Sequence, residues 1–320
     1  MLVGGFGTRL RPLTLDVKKE LMPVANRPFL EHVLAHLAKH GVEEAILTTG
    51  YLAEAFEAYP ADQAHGVKLT IVKEDEPLDS CGAVKNVEDL IDGTFLVCNG
   101  DILTSLDITA LVSYHRERET LGTLALKAVD DPSAYGLVPI DDDGRIERFV
   151  EKPKPGDEIW TNLINAGTYV LEPSVLADVP VGTMWSFERQ VFPSLVERGA
   201  PVFGFASEAY WLDIGTPERY LQAHWDVLEG RSAASALGRR VGDVLLADGA
   251  KAPSLAGPAV LGPGAVAAEG ATLERAVLLA GARVEAGATV RDSVIGPNAI
   301  VGSGATCADA LVAAGDRVTT

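Results

Sequence analysis

With 320 residues, the chain is long enough for about two domains, each able to bury its own core. Its formal net charge of −18 at pH 7 argues against nucleic acid as a partner, because phosphate backbones are bound by clustered Lys and Arg. No apolar run is long enough to span a bilayer, no signal peptide is recognisable, and Cys81, Cys98 and Cys307 lack metal-ligand spacing, so we expect a cytoplasmic protein with reduced thiols.

The first predicted feature is a glycine-rich loop, residues 4–14, with the sequence GGFGTRLRPLT. Glycines allow backbone N–H groups to approach an anion closely, and Arg9, Arg11 and Lys19 add positive charge. The glycine spacing fits neither the P-loop nor the dinucleotide-binding fingerprint. The stretch therefore predicts a phosphate-binding loop of another kind.

Only residues 1–3 precede this loop, whereas a buried first strand usually takes about five or six residues. We therefore expect the natural start to lie upstream of Met1.

From residue 1 to residue 229, apolar strand-like runs alternate with amphipathic helical runs, which is typical of a doubly wound α/β domain with a mostly parallel sheet. The predicted strands are 45–49, 67–72, 94–98 and 121–129, and the predicted helices are 28–41, 82–91 and 108–118.

Candidate ligand positions follow from this pattern. In doubly wound sheets, ligands bind beyond the carboxyl ends of the strands, where both the glycine loop and Asn99-Gly100-Asp101 are expected. Asp101 would there present a carboxylate to a hard cation over phosphates.

A second architecture is predicted after a linker at residues 230–243. Residues 244–320 are rich in Gly, Ala and Val, and from Val260 they repeat with a period of 17. Apolar positions recur at steps of six, six and five, which predicts three-sided coils of a parallel β-helix whose stacked faces bury one another. The inward positions are Leu261, Ala267, Leu273, Leu278, Val284, Val290, Ile295, Val301, Cys307, Val312 and Val318.

The chain resembles the sugar-1-phosphate nucleotidyltransferases, also called nucleotide-diphospho-sugar pyrophosphorylases. The resemblance is carried by residues 4–14, by Phe149–Pro153 (FVEKP) and by Tyr210–Pro217 (YWLDIGTP), and extends to the β-helix, which is left-handed in that family. It implies a catalytic domain at residues 1–229. It also implies that Asp101 and Asp213 share one Mg²⁺ between nucleotide and sugar phosphate.

The family motifs assign roles to individual residues. Arg9, Lys19, Asp101, Lys152 and Asp213 are the expected catalytic residues. The expected nucleotide-binding residues are Val3, Gly4, Gly5, Gly7, Thr8, Arg9, Lys19, Asp79, Gly82 and Asp101, and the expected sugar-phosphate-binding residues are Gly136, Glu151, Lys152, Asn165 and Gly167.

Two positions depart from the family pattern. Lys18-Lys19-Glu20 replaces the usual Pro-Lys-Pro, so Lys19 keeps its place without the stiffening prolines. Asp79 replaces a glycine beside the nucleobase. Either its carboxylate turns outward after Pro77, or it accepts N–H donors of guanine, whose exocyclic amino group distinguishes it from uracil and thymine.

The resemblance is nearest to the mannose-1-phosphate guanylyltransferases, which implies transfer of a guanylyl group from GTP to mannose 1-phosphate. Glucose-1-phosphate thymidylyl- or uridylyltransferase activity is the alternative, as is a non-catalytic subunit that binds nucleotide-sugar. The expected partners are these small substrates and further copies of the chain, joined through the open end of the β-helix, with neither nucleic acid nor membrane.

Overall fold

The structure is a computed structural model that describes residues 1–50, 52–253 and 257–320. The chain divides into two compact units. We call residues 1–5 and 37–211 the sheet unit, and residues 6–36 and 212–320 the β-helix unit. In the described residues, no helix is both long and apolar enough to cross a membrane. The α-helices α1 to α6 are Phe29–Lys39, Glu54–Glu57, Asp79–Lys85, Ile108–Glu117, Phe192–Glu197 and Pro217–Leu228.

Among the described residues, nine strands lie wholly within the sheet unit. Leu2 forms parallel bridges with both Thr48 and Asn99, so the start of the chain lies between the ends of two strands. The predicted strands are all present, with bounds that differ from the prediction by at most one residue. Strands β1 to β9 are Glu44–Thr49, Lys68–Lys73, Phe95–Cys98, Ile102–Thr104, Gly122–Ala128, Gly136–Leu137, Val150–Glu151, Leu163–Leu171 and Val202–Ala206.

The longest strand, β8, organises the sheet. It pairs antiparallel with β3, β5 and β6, while β1 pairs parallel with β2 and β9 parallel with β5. The predicted α/β class is confirmed, and the antiparallel β8 adds a mixed character to the sheet. Its core contains an aromatic group in which the ring centroids of Tyr169 and Phe192 lie 4.9 Å apart and those of Phe187 and Phe192 lie 5.5 Å apart.

Helix α3 does not follow the predicted bounds of 82–91. It begins at Asp79 and ends at Lys85, and a separate 3₁₀ turn covers Glu88–Leu90. The carbonyl oxygen of Trp185 accepts the N–H groups of both Cys81 and Gly82 at 2.8 Å. Because this partner comes from about a hundred residues away, local sequence could not indicate where the helix begins.

The β-helix unit confirms the repeat of 17 residues. Val260 pairs with Val277 and then with Val294, and equivalent parallel registers run along the other two faces. Ten of the eleven predicted inward positions belong to one buried core, and the partly buried Val318 packs against it. Cys307 is 4% exposed and belongs to this core. The repeating strands are Ala259–Leu261, Val266–Ala267, Thr272–Glu274, Ala276–Leu278, Arg283–Val284, Thr289–Arg291, Val294–Ile295, Ile300–Val301, Thr306–Ala308, Leu311–Val312 and Arg317–Val318.

The predicted linker contains ordered structure. Strand Arg239–Val241 turns at Gly242 and pairs antiparallel with Val244–Leu246, which in turn pairs with the first coil strand, Ala259–Leu261. The β-helix unit also contains a short hairpin of Pro23–Val24 with Arg27–Pro28, which α6 contacts. Helix α6 ends at Leu228, just before the predicted linker.

Candidate active site

The glycine loop contains two kinds of glycine. Gly7 has a φ of +60°, and a Cβ there would lie 3.2 Å from Cγ2 of Thr14, whose hydroxyl donates to the Gly7 carbonyl oxygen at 2.7 Å. The backbone therefore requires glycine at that residue. A Cβ at Gly5 would meet no atom within 4 Å, and one at Gly4 would meet only Oε1 of Glu74, at 3.9 Å. Protein packing does not explain these two glycines, whereas close approach of a ligand would.

Arg9 and Asp213 come together around Gly215 in the β-helix unit. A Cβ at Gly215 would lie 2.5 Å from Nη2 of Arg9 and 2.8 Å from Oδ1 of Asp213. Oδ1 of Asp213 accepts from the Gly215 N–H at 2.8 Å, which fixes the carboxylate. Arg9 is exposed, and the Asp213 side chain is 16% exposed. Arg9 of the loop motif and Asp213 of the YWLDIGTP motif therefore lie close together. Their catalytic roles stay predictions.

A third charged residue, Arg219, lies beside Asp213, and none of the sequence motifs includes it. Its Nη1 lies 3.4 Å from Oδ2 of Asp213. Thr216 caps α6 by accepting the Arg219 N–H at 3.4 Å, so the arginine lies in the first turn of the helix. The spacing of a cap and a cation three residues later could have indicated it.

Lys19 lies in a 3₁₀ turn, Lys19–Leu21, and is 8% exposed. Its neighbours Lys18 and Glu20 are 1% and 2% exposed. The segment that lacks the family prolines is therefore buried. The triphosphate contact of Lys19 stays a prediction.

Asp101 follows β3, beyond its carboxyl end, where the sequence predicted it. The preceding backbone is held by two hydrogen bonds, from Asn99 N to Gly167 O at 2.9 Å and from Gly100 N to Leu2 O at 3.0 Å. Asp101 belongs to the sheet unit and Asp213 to the β-helix unit, so their sharing of one cation stays a prediction. Among the described residues, no group of three or more His, Cys, Asp or Glu side chains could hold a metal.

The predicted sugar segment is built on the pairing of β6 with β7, in which Gly136 lies opposite Glu151. A Cβ at Gly136 would lie 2.8 Å from Oε2 of Glu151, so a larger residue would displace the carboxylate. Burial raises the pKa of Glu151; next in size, the positive charge of Lys152 lowers this pKa, and the negative charge of Glu188 raises it. Nζ of Lys152 is 3.5 Å from Oε1 of Glu151, and its side chain is 64% exposed.

Asn165 and Gly167 lie at an irregularity in β8, where the register with β5 shifts between Asn165 and Tyr169. Gly167 has a φ of +69°, and a Cβ there would lie 2.5 Å from Cδ1 of Ile102 and 2.6 Å from Nδ2 of Asn99. Oδ1 of Asn165 accepts the Gly167 N–H at 2.9 Å. Bulges of this kind redirect side chains and are common beside active sites.

Asp79 begins α3 with a φ of +60°. Its Oδ1 accepts the Ser80 N–H at 2.7 Å, and its Oδ2 lies 3.2 Å from Nη1 of Arg189. The side chain is 30% exposed, so both interpretations of Asp79 stay open. At Gly82, a Cβ would overlap the carbonyl oxygen of Thr183 and lie 3.2 Å from the Trp185 N, so packing alone requires this glycine.

Comparison with known proteins identifies the family. A family model described as nucleotidyl transferase matches residues 1–230. A mannose-1-phosphate guanylyltransferase of Mycobacterium tuberculosis is 40% identical over 296 residues, which cover 91% of this chain and 82% of that protein. Probable mannose-1-phosphate guanylyltransferase 3 of Oryza sativa subsp. japonica is 36% identical over 309 residues, covering 92% and 84%.

Solved structures agree with this comparison. HddC from Yersinia pseudotuberculosis superimposes with a TM-score of 0.61 at 31% identity, covering 70% of this chain and 96% of its own. A second structure of HddC, described as complexed with GMP-PN, gives the same values. The chain belongs to the nucleotidyl transferase family.

Proposed function

We propose that this protein is a mannose-1-phosphate guanylyltransferase, which converts GTP and mannose 1-phosphate to GDP-mannose and pyrophosphate. The observation that carries the proposal is the convergence of Arg9 and Asp213 around Gly215, because it joins two motifs from opposite ends of the catalytic region. The relatives of this name, which are similar over more than nine tenths of this chain, supply the choice of substrates.

The reaction requires alignment of two polyanions and neutralisation of charge. A phosphate oxygen of the sugar 1-phosphate attacks the α-phosphorus of the triphosphate, a new P–O bond forms, and the bond from the α-phosphorus to the bridging oxygen of pyrophosphate breaks. Because the nucleophile is already anionic, neither a general base nor a covalent intermediate is needed. In this scheme Arg9 stabilises the departing pyrophosphate, Lys19 binds the triphosphate and Lys152 binds the sugar phosphate.

The donor set fits a divalent metal ion of the hard class. Asp101 and Asp213 offer carboxylate oxygens, which Mg²⁺ prefers, and Mg²⁺ commonly completes its coordination with substrate phosphates and water. In this proposal the two residues hold Mg²⁺, which would supply positive charge between the reacting phosphates. Loss of activity on treatment with a chelator, and its recovery with Mg²⁺, would support this requirement.

Recognition of the sugar and of the base is assigned to the sheet unit. Gly136 leaves room for the Glu151 carboxylate, which accepts hydrogen bonds from sugar hydroxyls together with the Asn165 amide. Asp79 is assigned to guanine, with its carboxylate accepting the base N–H donors. Asp79→Gly should then remove the preference for GTP, and a retained preference would rule out this role.

The decisive experiment measures pyrophosphate release with four nucleoside triphosphates, each combined with mannose 1-phosphate and glucose 1-phosphate. The expected result is highest kcat/KM for GTP with mannose 1-phosphate. Highest activity with dTTP or UTP and glucose 1-phosphate would replace this proposal by the thymidylyl- or uridylyltransferase alternative. No release with any pair would overturn the enzyme assignment.

The same proposal includes assembly and location. We assign self-association to the β-helix, whose three parallel sheets could pair with those of a second copy. Light scattering should give a mass of at least two chains of 33.8 kDa, and the mass of one chain would exclude it. The three cysteines are free and buried, which suits a reducing cytoplasm.

A further inference from the structure

A polar chain in the sheet unit joins two segments that are assigned to different substrates. At its centre is Glu188, on a π-helical turn, Phe187–Val191. Oγ of Ser186 accepts the N–H groups of Glu188 and Arg189 at 3.2 and 3.3 Å, which satisfies the first donors of the turn. Single π turns are rare and often occur at functional sites. None of the sequence motifs includes Glu188.

Both carboxylate oxygens of Glu188 accept hydrogen bonds. Oε1 accepts from the hydroxyl of Tyr169 at 3.0 Å, and Oε2 accepts from the hydroxyls of Ser80 and Ser186 at 2.6 and 2.7 Å. Because an ionised carboxylate can only accept, all three hydroxyls donate to it. Tyr169 is fully buried, so this contact is little screened by water.

The direction of the Tyr169 hydroxyl determines the orientation of Asn165. Since the phenolic hydrogen is directed at Glu188, the oxygen of Tyr169 accepts from Nδ2 of Asn165, at 2.7 Å. Oδ1 of Asn165 accepts from the Gly167 N–H at 2.9 Å. The amide is thereby held in one of its two orientations, and Nδ2 and Oδ1 each retain capacity for one ligand contact.

The same turn also holds the start of α3. Oγ of Ser80, which donates to Glu188, accepts from the Phe187 N–H at 3.0 Å. The next residue along the turn, Arg189, pairs with Asp79. The turn therefore contacts both the segment assigned to the base and, through Tyr169, the segment assigned to the sugar.

We propose that Glu188 is a positioning residue for the sugar 1-phosphate, which it serves by holding the Asn165 amide in its binding orientation through the hydroxyl of Tyr169. The inference rests on the proposed function, because it needs a sugar to be bound at Asn165. It predicts that removing one oxygen atom from the buried Tyr169 weakens sugar phosphate binding and leaves triphosphate binding unchanged.

The experiment compares Tyr169→Phe with the matched control Tyr114→Phe. The Tyr114 hydroxyl donates to the Gly204 carbonyl oxygen at 3.1 Å in the same unit, so the control also loses one hydroxyl and one hydrogen bond. Tyr169→Phe should raise the KM for mannose 1-phosphate about 10-fold, because a hydrogen bond to a charged group is lost and Asn165 loses its acceptor. The KM for GTP should stay within about twofold, and Tyr114→Phe should change neither KM.

A second variant keeps the test decisive if Tyr169→Phe fails to fold. Glu188→Gln replaces one accepting oxygen by an NH₂ group, which cannot accept from the hydroxyls, so it should also raise the KM for the sugar phosphate. The double variant should be no worse than the more affected single variant, since both changes break the same chain.

The outcomes separate this inference from the proposed function. If the wild-type protein releases pyrophosphate but neither variant raises the KM for mannose 1-phosphate above that of Tyr114→Phe, the inference is wrong and the function stands. An equal rise in both KM values would indicate general damage to the unit and would also overturn it. Absence of activity in the wild type would remove both.

Discussion

The coils of the β-helix and the segments assigned to the substrates are held together in opposite ways. In the coils, an apolar side chain recurs at the same register every 17 residues, as at Leu261, Leu278 and Ile295, and every one of these positions is fully buried. The substrate segments have no such repeat. There, Glu188 accepts hydrogen bonds from Tyr169 and from Ser80, which lies about a hundred residues earlier in the chain.

This difference determines what each region tolerates. A repeated apolar contact contributes stability through area and packing, and its neighbours in the next coil perform the same task. A polar chain depends on each donor and acceptor, and removing one partner leaves another without its contact. Substitutions in the coils should therefore change stability without changing substrate binding, whereas substitutions in the substrate segments should change substrate binding.

Arg9→Ala should have the largest effect on activity and should separate catalysis most clearly from stability. Because Arg9 is exposed, its removal should not change the melting temperature. Its assigned role is to stabilise charge that develops on the leaving pyrophosphate, so kcat should fall by about 10²- to 10³-fold, with a much smaller change in the KM for GTP. Arg283→Ala, at an exposed arginine of the β-helix, is the control. Unchanged kcat in Arg9→Ala would refute the role.

Gly296→Ala, in the coils, should lower stability and leave substrate binding unchanged. A Cβ at this residue would lie 2.5 Å from the carbonyl oxygen of Val312 and 2.8 Å from the carbonyl carbon of Ala313, both backbone atoms of the next coil. We expect a loss of about 1–3 kcal/mol in the free energy of unfolding, measured with urea, because the coils must separate locally. Both KM values should stay unchanged.

Gly302→Ala provides a graded comparison for this change. Its Cβ would lie 3.1 Å from the carbonyl oxygen of Val318, which is a milder contact, so its loss should be smaller than that of Gly296→Ala. A larger loss at Gly302, or a raised KM in either variant, would contradict the separation of the two regions.

The sequence predicted the coils better than the substrate segments, for a physical reason. Periodicity is a local signal, so the inward side of each coil could be assigned from one chain alone. Even there, the turns at Arg275, Asp292 and Asp309 have φ values of +48°, +43° and +52°, where no glycine indicated a left-handed backbone. The stacking of successive coils imposes that conformation at the same register.

In the substrate segments, motifs identified the residues and not their connections. Arg9 and Asp213 were found in separate motifs, and the structure brings them together. Glu188 was missed because its partners, Ser80 and Tyr169, are remote in sequence and no spacing relates them. The start of α3 was misplaced for the same reason, since Trp185 supplies the acceptor.

The pH dependence of sugar phosphate use should sharpen the account of Glu151. Burial and Glu188 raise the pKa of Glu151, while Lys152 and Arg189 lower it. If the ionised carboxylate binds the sugar, kcat/KM for mannose 1-phosphate should fall as the pH decreases through this raised pKa. Glu188→Gln removes a negative charge and should therefore move the acid limb to lower pH.

The comparison of the acid limbs of these pH profiles has its own control. The sugar phosphate itself also titrates, with a second pKa of about 6. This titration is the same for every variant, so a difference between two pH profiles reports on the protein. Glu285→Gln, on the β-helix, should leave the limb in place. A limb that stays in place or moves to higher pH in Glu188→Gln would show that Glu151 ionisation does not control binding.

The smallest effect is expected from an exposed ion pair of the β-helix, between Nε of Arg275 and Oδ1 of Asp292 at 3.0 Å. The two side chains are 43% and 37% exposed, so solvent screens the pair, and the Arg275 guanidinium also lies 5.5 Å from the centre of the Trp225 ring. Arg275→Ala should therefore lower the free energy of unfolding by less than about 1 kcal/mol. This loss is measured by equilibrium unfolding, with Arg283→Ala as the control. A loss of more than about 2 kcal/mol would mean that a single polar contact supports the coils as strongly as apolar stacking does, and the contrast between the two regions would no longer hold.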